Sequence, residues 1–220
     1  MQNPDEDRAW QAIRTQRLAV ADLLETLDAD EWRRPSLCEG WSVHDVAAHL
    51  TLQQLSLLDG LVLFARTPGG MNRVIREAAR REATRTPCEE VVARIRASAD
   101  SRGHNVGVTY HETLIDALVH GQDIARPLGR ALPVPPDAAA LAAERVWSRG
   151  WPFYPRRRLA NLRLVGTDGE WAAGEGQEIR GSLGDLLLVL TGRGAAVVAD
   201  LDGDGVPELR RRLSVATSPG

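Results

Sequence analysis

The chain contains no lysine: all 27 of its basic residues are arginine. That absence excludes a Walker-type phosphate loop, a Schiff-base lysine and a lysine general base together. Cysteine is nearly as scarce. Cys38 and Cys88 form no Cys-x-x-Cys or zinc-finger spacing, so neither a disulfide framework nor a structural zinc site is expected. Long apolar runs are missing too. The most hydrophobic stretch, LSLLDGLVLFA, is short and broken by Asp59 and Gly60, and the N-terminus MQNPDEDRAW is acidic, without the apolar segment of a signal peptide. A cytoplasmic protein is expected. An excess of one charge sign is also lacking. With 30 acidic residues against 27 basic ones, a net charge of -3 provides no footprint for nucleic acid or an anionic membrane.

What remains is the composition of an ordinary globular protein, 43% hydrophobic and 26% charged over 220 residues, enough for one large domain or two modest ones. The first 130 residues read as helices separated by turns. Trp10, Ile13, Leu18, Leu24 and Leu27 recur at helical spacing between Asp5 and about Ala29. In GWSVHDVAAHL, Ser42 and Asp45 form a capping box, Trp41 is placed to staple onto Val46, and the helix they open is expected to run from Val43 to about Arg66. Further helices follow over Met71 to Thr84, from Pro87 to about Ser101, and from about Val108 to Ala125.

ALPVPPDAAA has three prolines within four residues and reads as a linker, dividing a helical domain over 1–130 from a second domain over 137–220. The second part begins with a helix from Asp137 to about Ser148. Two short strands around the Asp168-Gly169 turn, a third in GQEIRG, a buried helix in SLGDLLLVL, a strand in AAVVADL and a last helix in VPELRRRL complete a small α+β domain.

Chemistry concentrates in TLIDALVHGQDIARPLG. Asp116, His120 and Asp123 are spaced by four and three, so on a helix they share one stripe. The stripe is either the wet face of an amphipathic helix or part of a metal site. As ligands, Asp116 and His120 offer oxygen and nitrogen one turn apart, a pattern that suits a zinc-like ion held by three protein groups with one open position. His49, in the second turn of its helix, is the candidate third ligand. His44 points away from it, and His104 and His111 have no ligand-type partner at useful spacing. Cys38 is read as a small buried residue, although its place before a helix N-terminus would also suit a nucleophile. DLDGDG lacks the glutamate that would close a calcium loop and is read as a turn. Arg193, in LTGRGAA, is a candidate to bind a substrate carboxylate, with a plain helix-terminal charge as the alternative.

Three stretches, PSLCEGWSVHDVAAHL, DALVHGQDIARPLG and LRLVGTDGEWAAGEGQEIRGSLGDLLLVLTGR, together resemble the mycothiol-dependent maleylpyruvate isomerase family of actinobacteria over nearly the whole chain. The resemblance implies an N-terminal DinB-like four-helix bundle followed by a small α+β domain. It implies a metal triad at His49, Asp116 and His120, with aspartate standing where the isomerase has glutamate, and a C-terminal-domain arginine for which Arg193 is the match. It turns the polar stripe into the bundle. It also implies a divalent ion, zinc foremost, and mycothiol as thiol cofactor, the thiolate adding to a small electrophilic substrate with cis-trans isomerisation or S-transfer as the outcome. Two other readings stand beside it: a metal-dependent hydrolase, and a non-catalytic helical module that binds a small ligand or a protein without metal.

Overall fold

A computed structural model of the chain describes residues 4–53, 70–105 and 107–216. It divides into two compact units, Met1–Pro133 and Val134–Gly220.

Within the described residues the first unit is helical: α1 (Pro4–Glu25), α2 (Ala29–Arg33), α3 (Val43–Thr51), α4 (Met71–Arg85), α5 (Cys88–Ala97) and α6 (Tyr110–Ala125). The helices α1, α3, α5 and α6 pack on one another around a core that includes Val20, Leu24, Val46, Val91, Ile95 and Ile124. Each fully buried Leu or Ile in it contributes about 1.5–3 kcal/mol. Local signals set where the helices begin. Asp28 with Glu31, Ser42 with Asp45 and Thr109 with Glu112 form reciprocal capping boxes at α2, α3 and α6. Each cap contributes about 1 kcal/mol. The box at Ser42 and Asp45 is the one expected from the sequence. The helix expected to run to about Arg66 instead closes at Thr51, where Leu52 N bonds back to His49 O; residues 54–69 lie outside the described residues.

Almost all of α6 is buried, from Thr113 through Ala125 with only Asp116 and His120 partly open, so it is the central helix and not an amphipathic surface one. It approaches α1 closely at Gly121. A Cβ there would stand 2.8 Å from Leu132 Cδ2, 3.1 Å from Gln16 Nε2 and 3.3 Å from Val20 Cγ2. That contact outweighs the usual cost of about 1 kcal/mol for a mid-helix glycine. Between α2 and α3 the loop closes on itself: Ser36 N donates to Trp41 O, Trp41 N to Cys38 O, and Leu37 N donates to Asp123 O on α6. This last bond fixes Cys38 and Trp41 beside the middle of α6.

The second unit contains α7 (Pro136–Arg149), the short α8 (Pro155–Arg158), β1 (Leu162–Gly166), β2 (Ala172–Gly174), β3 (Gln177–Gly181), α9 (Leu183–Leu190) and α10 (Val206–Ala216). The sheet order is β2-β1-β3, with β1 antiparallel to β2 across the expected turn and parallel to β3. Leu183 through Leu190, apart from Gly184, are buried, and α9 packs against α7 and the sheet. One expected element is absent. AAVVADL is not a strand: Gly194–Ala196 form a 3₁₀ turn, and Val197, Val198 and Asp200 continue the coil with bonds to Gly194 O and Val197 O. Of its two valines only Val197 is fully buried, a single inward residue where a strand would need alternation. Among the described residues no helix is long and apolar enough to cross a membrane.

Candidate metal centre

Two histidines from different helices meet in the first unit. The rings of His49 on α3 and His120 on α6 lie edge to face with centroids 4.9 Å apart, and Trp41 also packs edge to face with His49, at 5.5 Å. Asp116 is one turn before His120, its Oδ1 4.0 Å from His120 Nε2. His49 and Asp116 thus each neighbour His120.

The other ring nitrogen of His120 is committed. Nδ1 donates to Asp123 Oδ2 at 2.8 Å, since a carboxylate only accepts, and Cys38 Sγ donates to the same oxygen at 3.0 Å. Asp123 is fully buried. With Nδ1 held in this way, Nε2 is the nitrogen left to face Asp116 and a ligand. This is the usual outer arrangement of a metal-binding histidine.

Electrostatics separates the two imidazoles. Burial first, and then the field of His120, push His49 down to about 3 against the opposing field of Asp123, so its ring is neutral and offers a lone pair. Burial also acts to lower His120, but the hydrogen bonds to Asp123 and Cys38, with the fields of Asp123 and Asp116, outweigh it and raise that ring to about 10. Without a cation, His120 carries the charge itself. A neutral imidazole, an oriented imidazole and a carboxylate are a donor set that fits a zinc-like ion. Two ligands of a tetrahedral ion at bond lengths of about 2.0–2.1 Å lie about 3.3 Å apart, so Asp116 must close by several tenths of an ångström. Its side chain is 41% exposed.

Among the described residues, the group whose ligand atoms all lie within 4.8 Å of one another is a different one, Cys38, His120 and Asp123. Its separations of 2.8 and 3.0 Å are those of hydrogen bonds, shorter than the spacing of ligands around a tetrahedral ion. Cys38 and Asp123 thus act as the support of His120. The sequence reading assigned Cys38 to simple burial and left Asp123 on the stripe without a role. His44 turns away as expected, with Nε2 3.1 Å from Thr86 O and its ring on Trp32. In the second unit Arg193 follows α9, half-buried, and donates from Nη1 to Thr191 O at 2.8 Å.

Residues 13–109 match the model of the mycothiol maleylpyruvate isomerase N-terminal domain. The match lies within the N-terminal unit. Two solved structures share the fold: a histidine-to-alanine mutant of mycothiol-dependent maleylpyruvate isomerase, at TM-score 0.54 and 18% identity, and the same isomerase without that change, at 0.52 and 17%. Each alignment covers 90% of this chain and 92% of the other. No curated protein matches the chain. The domain match ends at residue 109, before Asp116 and His120, so the acidic-x-x-x-His half of the site stands on its own geometry.

Proposed function

We infer that the protein is a mycothiol-dependent metalloenzyme acting on a small electrophilic substrate, by cis-trans isomerisation of a maleylpyruvate-like acid or by S-transfer. The observation that carries this reading is the division of labour on His120: Asp123, itself bonded by Cys38, occupies Nδ1, Nε2 is on the side of Asp116, and the His49 ring packs against the His120 ring. The domain family supports the thiol and the substrate class.

In this reading His49, Asp116 and His120 hold a divalent ion of the zinc type. Such an ion, when bound, supplies the positive charge that keeps a coordinated thiol ionised at neutral pH. The chain itself contributes the rest. His49 provides a nitrogen that burial keeps free of a proton, and Asp123 keeps the His120 ring in one tautomer and orientation. Trp41 packs edge to face with His49 and helps to hold its ring. Arg193 is proposed to bind a carboxylate of substrate or cofactor, a role its guanidinium suits. No lysine or cysteine nucleophile is needed, because the attacking sulfur arrives with the cofactor.

The reading is tested by assaying the zinc-supplemented protein on maleylpyruvate and on simple electrophiles, with mycothiol, with cysteine and without thiol. Turnover only with mycothiol is expected. Equal turnover without any thiol would overturn it in favour of a hydrolase using bound water, and no turnover of any of these compounds would favour the binding module.

A further inference from the structure

The second unit carries an exposed patch that is both aromatic and basic. Between Glu144 and Asp168 the chain has six arginines and no acidic residue, a local excess that the net charge of -3 conceals. In the middle of that stretch, where α7 gives way to α8, stands an uncharged tip, Trp151-Pro152-Phe153-Tyr154-Pro155. Trp151 and Tyr154 are 53% and 54% exposed, and they are the exposed aromatic side chains among the described residues.

Exposed loops ordinarily leave their backbone groups to water. This tip leaves few. Pro152 and Pro155 have no N–H. Trp151 N donates to Arg149 O at 2.9 Å and Tyr154 N donates to Gly150 O, while Phe153 O accepts from Arg158 Nε at 2.7 Å and Tyr154 O from the amides of Arg157 and Arg158 at 3.1 Å. Arginine stands on both sides of the tip. Arg149 lies over the Trp151 ring, 6.0 Å from its centroid, and Arg156 and Arg157 follow the tip with exposed side chains. Arg156 is held by Trp147, over its ring at 5.7 Å and through its carbonyl at 3.1 Å, neutral partners that leave the charge in place.

We propose that this tip docks on the surface of an anionic phospholipid bilayer, with Trp151 and Tyr154 entering the interface and the arginines on either side meeting lipid phosphates. Trp and Tyr settle at a membrane–water boundary because each joins an apolar ring to one polar group. Backbone that is already hydrogen-bonded can leave water at little cost. Arginines beside such a tip gain from the negative surface potential of anionic lipid. A symmetric pair of copies would set arginine against arginine, and a nucleic-acid strand would gain from the rings but not from a backbone closed to water. The docking is peripheral, since no helix among the described residues is long and apolar enough to cross a membrane. It does not depend on the metalloenzyme reading.

The test is sedimentation of the full-length protein with vesicles of phosphatidylcholine alone and of phosphatidylcholine mixed with phosphatidylglycerol, at low and high salt, with the melting temperature of each variant measured in parallel. Binding to the mixed vesicles only, weakened by salt, is expected. Lipids brominated on the acyl chain near the headgroup are expected to quench part of the tryptophan emission, and Trp151→Ser to remove that quenching. Replacing Arg156→Ser and Arg157→Ser together is expected to weaken binding at least tenfold. If Trp151→Ser does not fold, Tyr154→Asn takes its place, because asparagine tolerates the left-handed backbone at φ 48°, and it is expected to weaken binding several-fold. No binding to the mixed vesicles, equal binding to both kinds, binding without quenching, or binding unchanged in the folded arginine variant would each overturn the proposal. So would binding of a fluorescent oligothymidylate in place of vesicles, which would assign the patch to nucleic acid.

Discussion

Asp123 accepts a 2.8 Å hydrogen bond from Nδ1 of His120, three residues back on the same helix, from a position with no exposure to solvent. The pair leaves Nε2 as the ring nitrogen open to a ligand. Asp123→Asn keeps the size of the side chain and removes its charge. It is expected to weaken zinc about 10–100-fold, as measured by competition with a chromophoric chelator, while saturating zinc still reaches the wild-type stoichiometry. Unchanged affinity would mean that the charge of Asp123 does not act through His120.

Cys38 separates two ways of placing the ion. If it only donates to Asp123, Cys38→Ala retains one zinc per chain and costs about 1 kcal/mol of stability for the lost bond. Were Cys38, His120 and Asp123 the ligand set, the same variant would lose zinc. Metal analysis of the purified variant distinguishes these outcomes.

The two histidines give the metal-free protein a stability that falls on both sides of neutrality. His49, depressed to about 3 from 6.5, contributes stability that is complete above 6.5 and lost as pH falls toward 3. His120, raised to about 10, contributes stability that is complete below 6.5 and lost as pH rises through 10. Melting temperatures of the metal-free protein are therefore expected to peak near 6.5. Zinc must displace the proton on Nε2, so the rise in melting temperature that zinc produces should grow with pH between about 6 and about 9. A zinc effect independent of pH would contradict the protonated state of His120.

Gly121→Ala tests the close approach of α1 and α6. The added methyl would meet Leu132 at 2.8 Å and Gln16 at 3.1 Å. A loss of about 1–3 kcal/mol in denaturant unfolding is expected, as for other overpacked sites. A gain of stability, the usual result of Gly→Ala in an open helix, would mean that the helices are less tightly apposed.

Much of this architecture is local and was legible in the sequence. Ser42 and Asp45 announce α3 because a capping box needs only residues three apart, and Asp168-Gly169 marks the hairpin of the small sheet. The stripe of Asp116, His120 and Asp123 follows from helical periodicity alone. Its graded burial, from half-exposed Asp116 to fully buried Asp123, does not, because that depends on what α1, α3 and the loop around Cys38 place against it. Cys38 meets His120 and Asp123 across 82 and 85 residues, and Arg17 meets Gln53 across 36, with no periodic signal linking them. AAVVADL has strand composition but follows Gly192 and Gly194 closely, and turn geometry prevails there.

The most direct test of the metal centre is elemental analysis of untagged protein purified without chelator, comparing the wild type with His49→Ala and His120→Ala. About one zinc-like ion per folded wild-type chain, absent from both variants, is the predicted result. A wild type that holds no metal even after incubation with zinc would contradict the account, and so would variants that retain it.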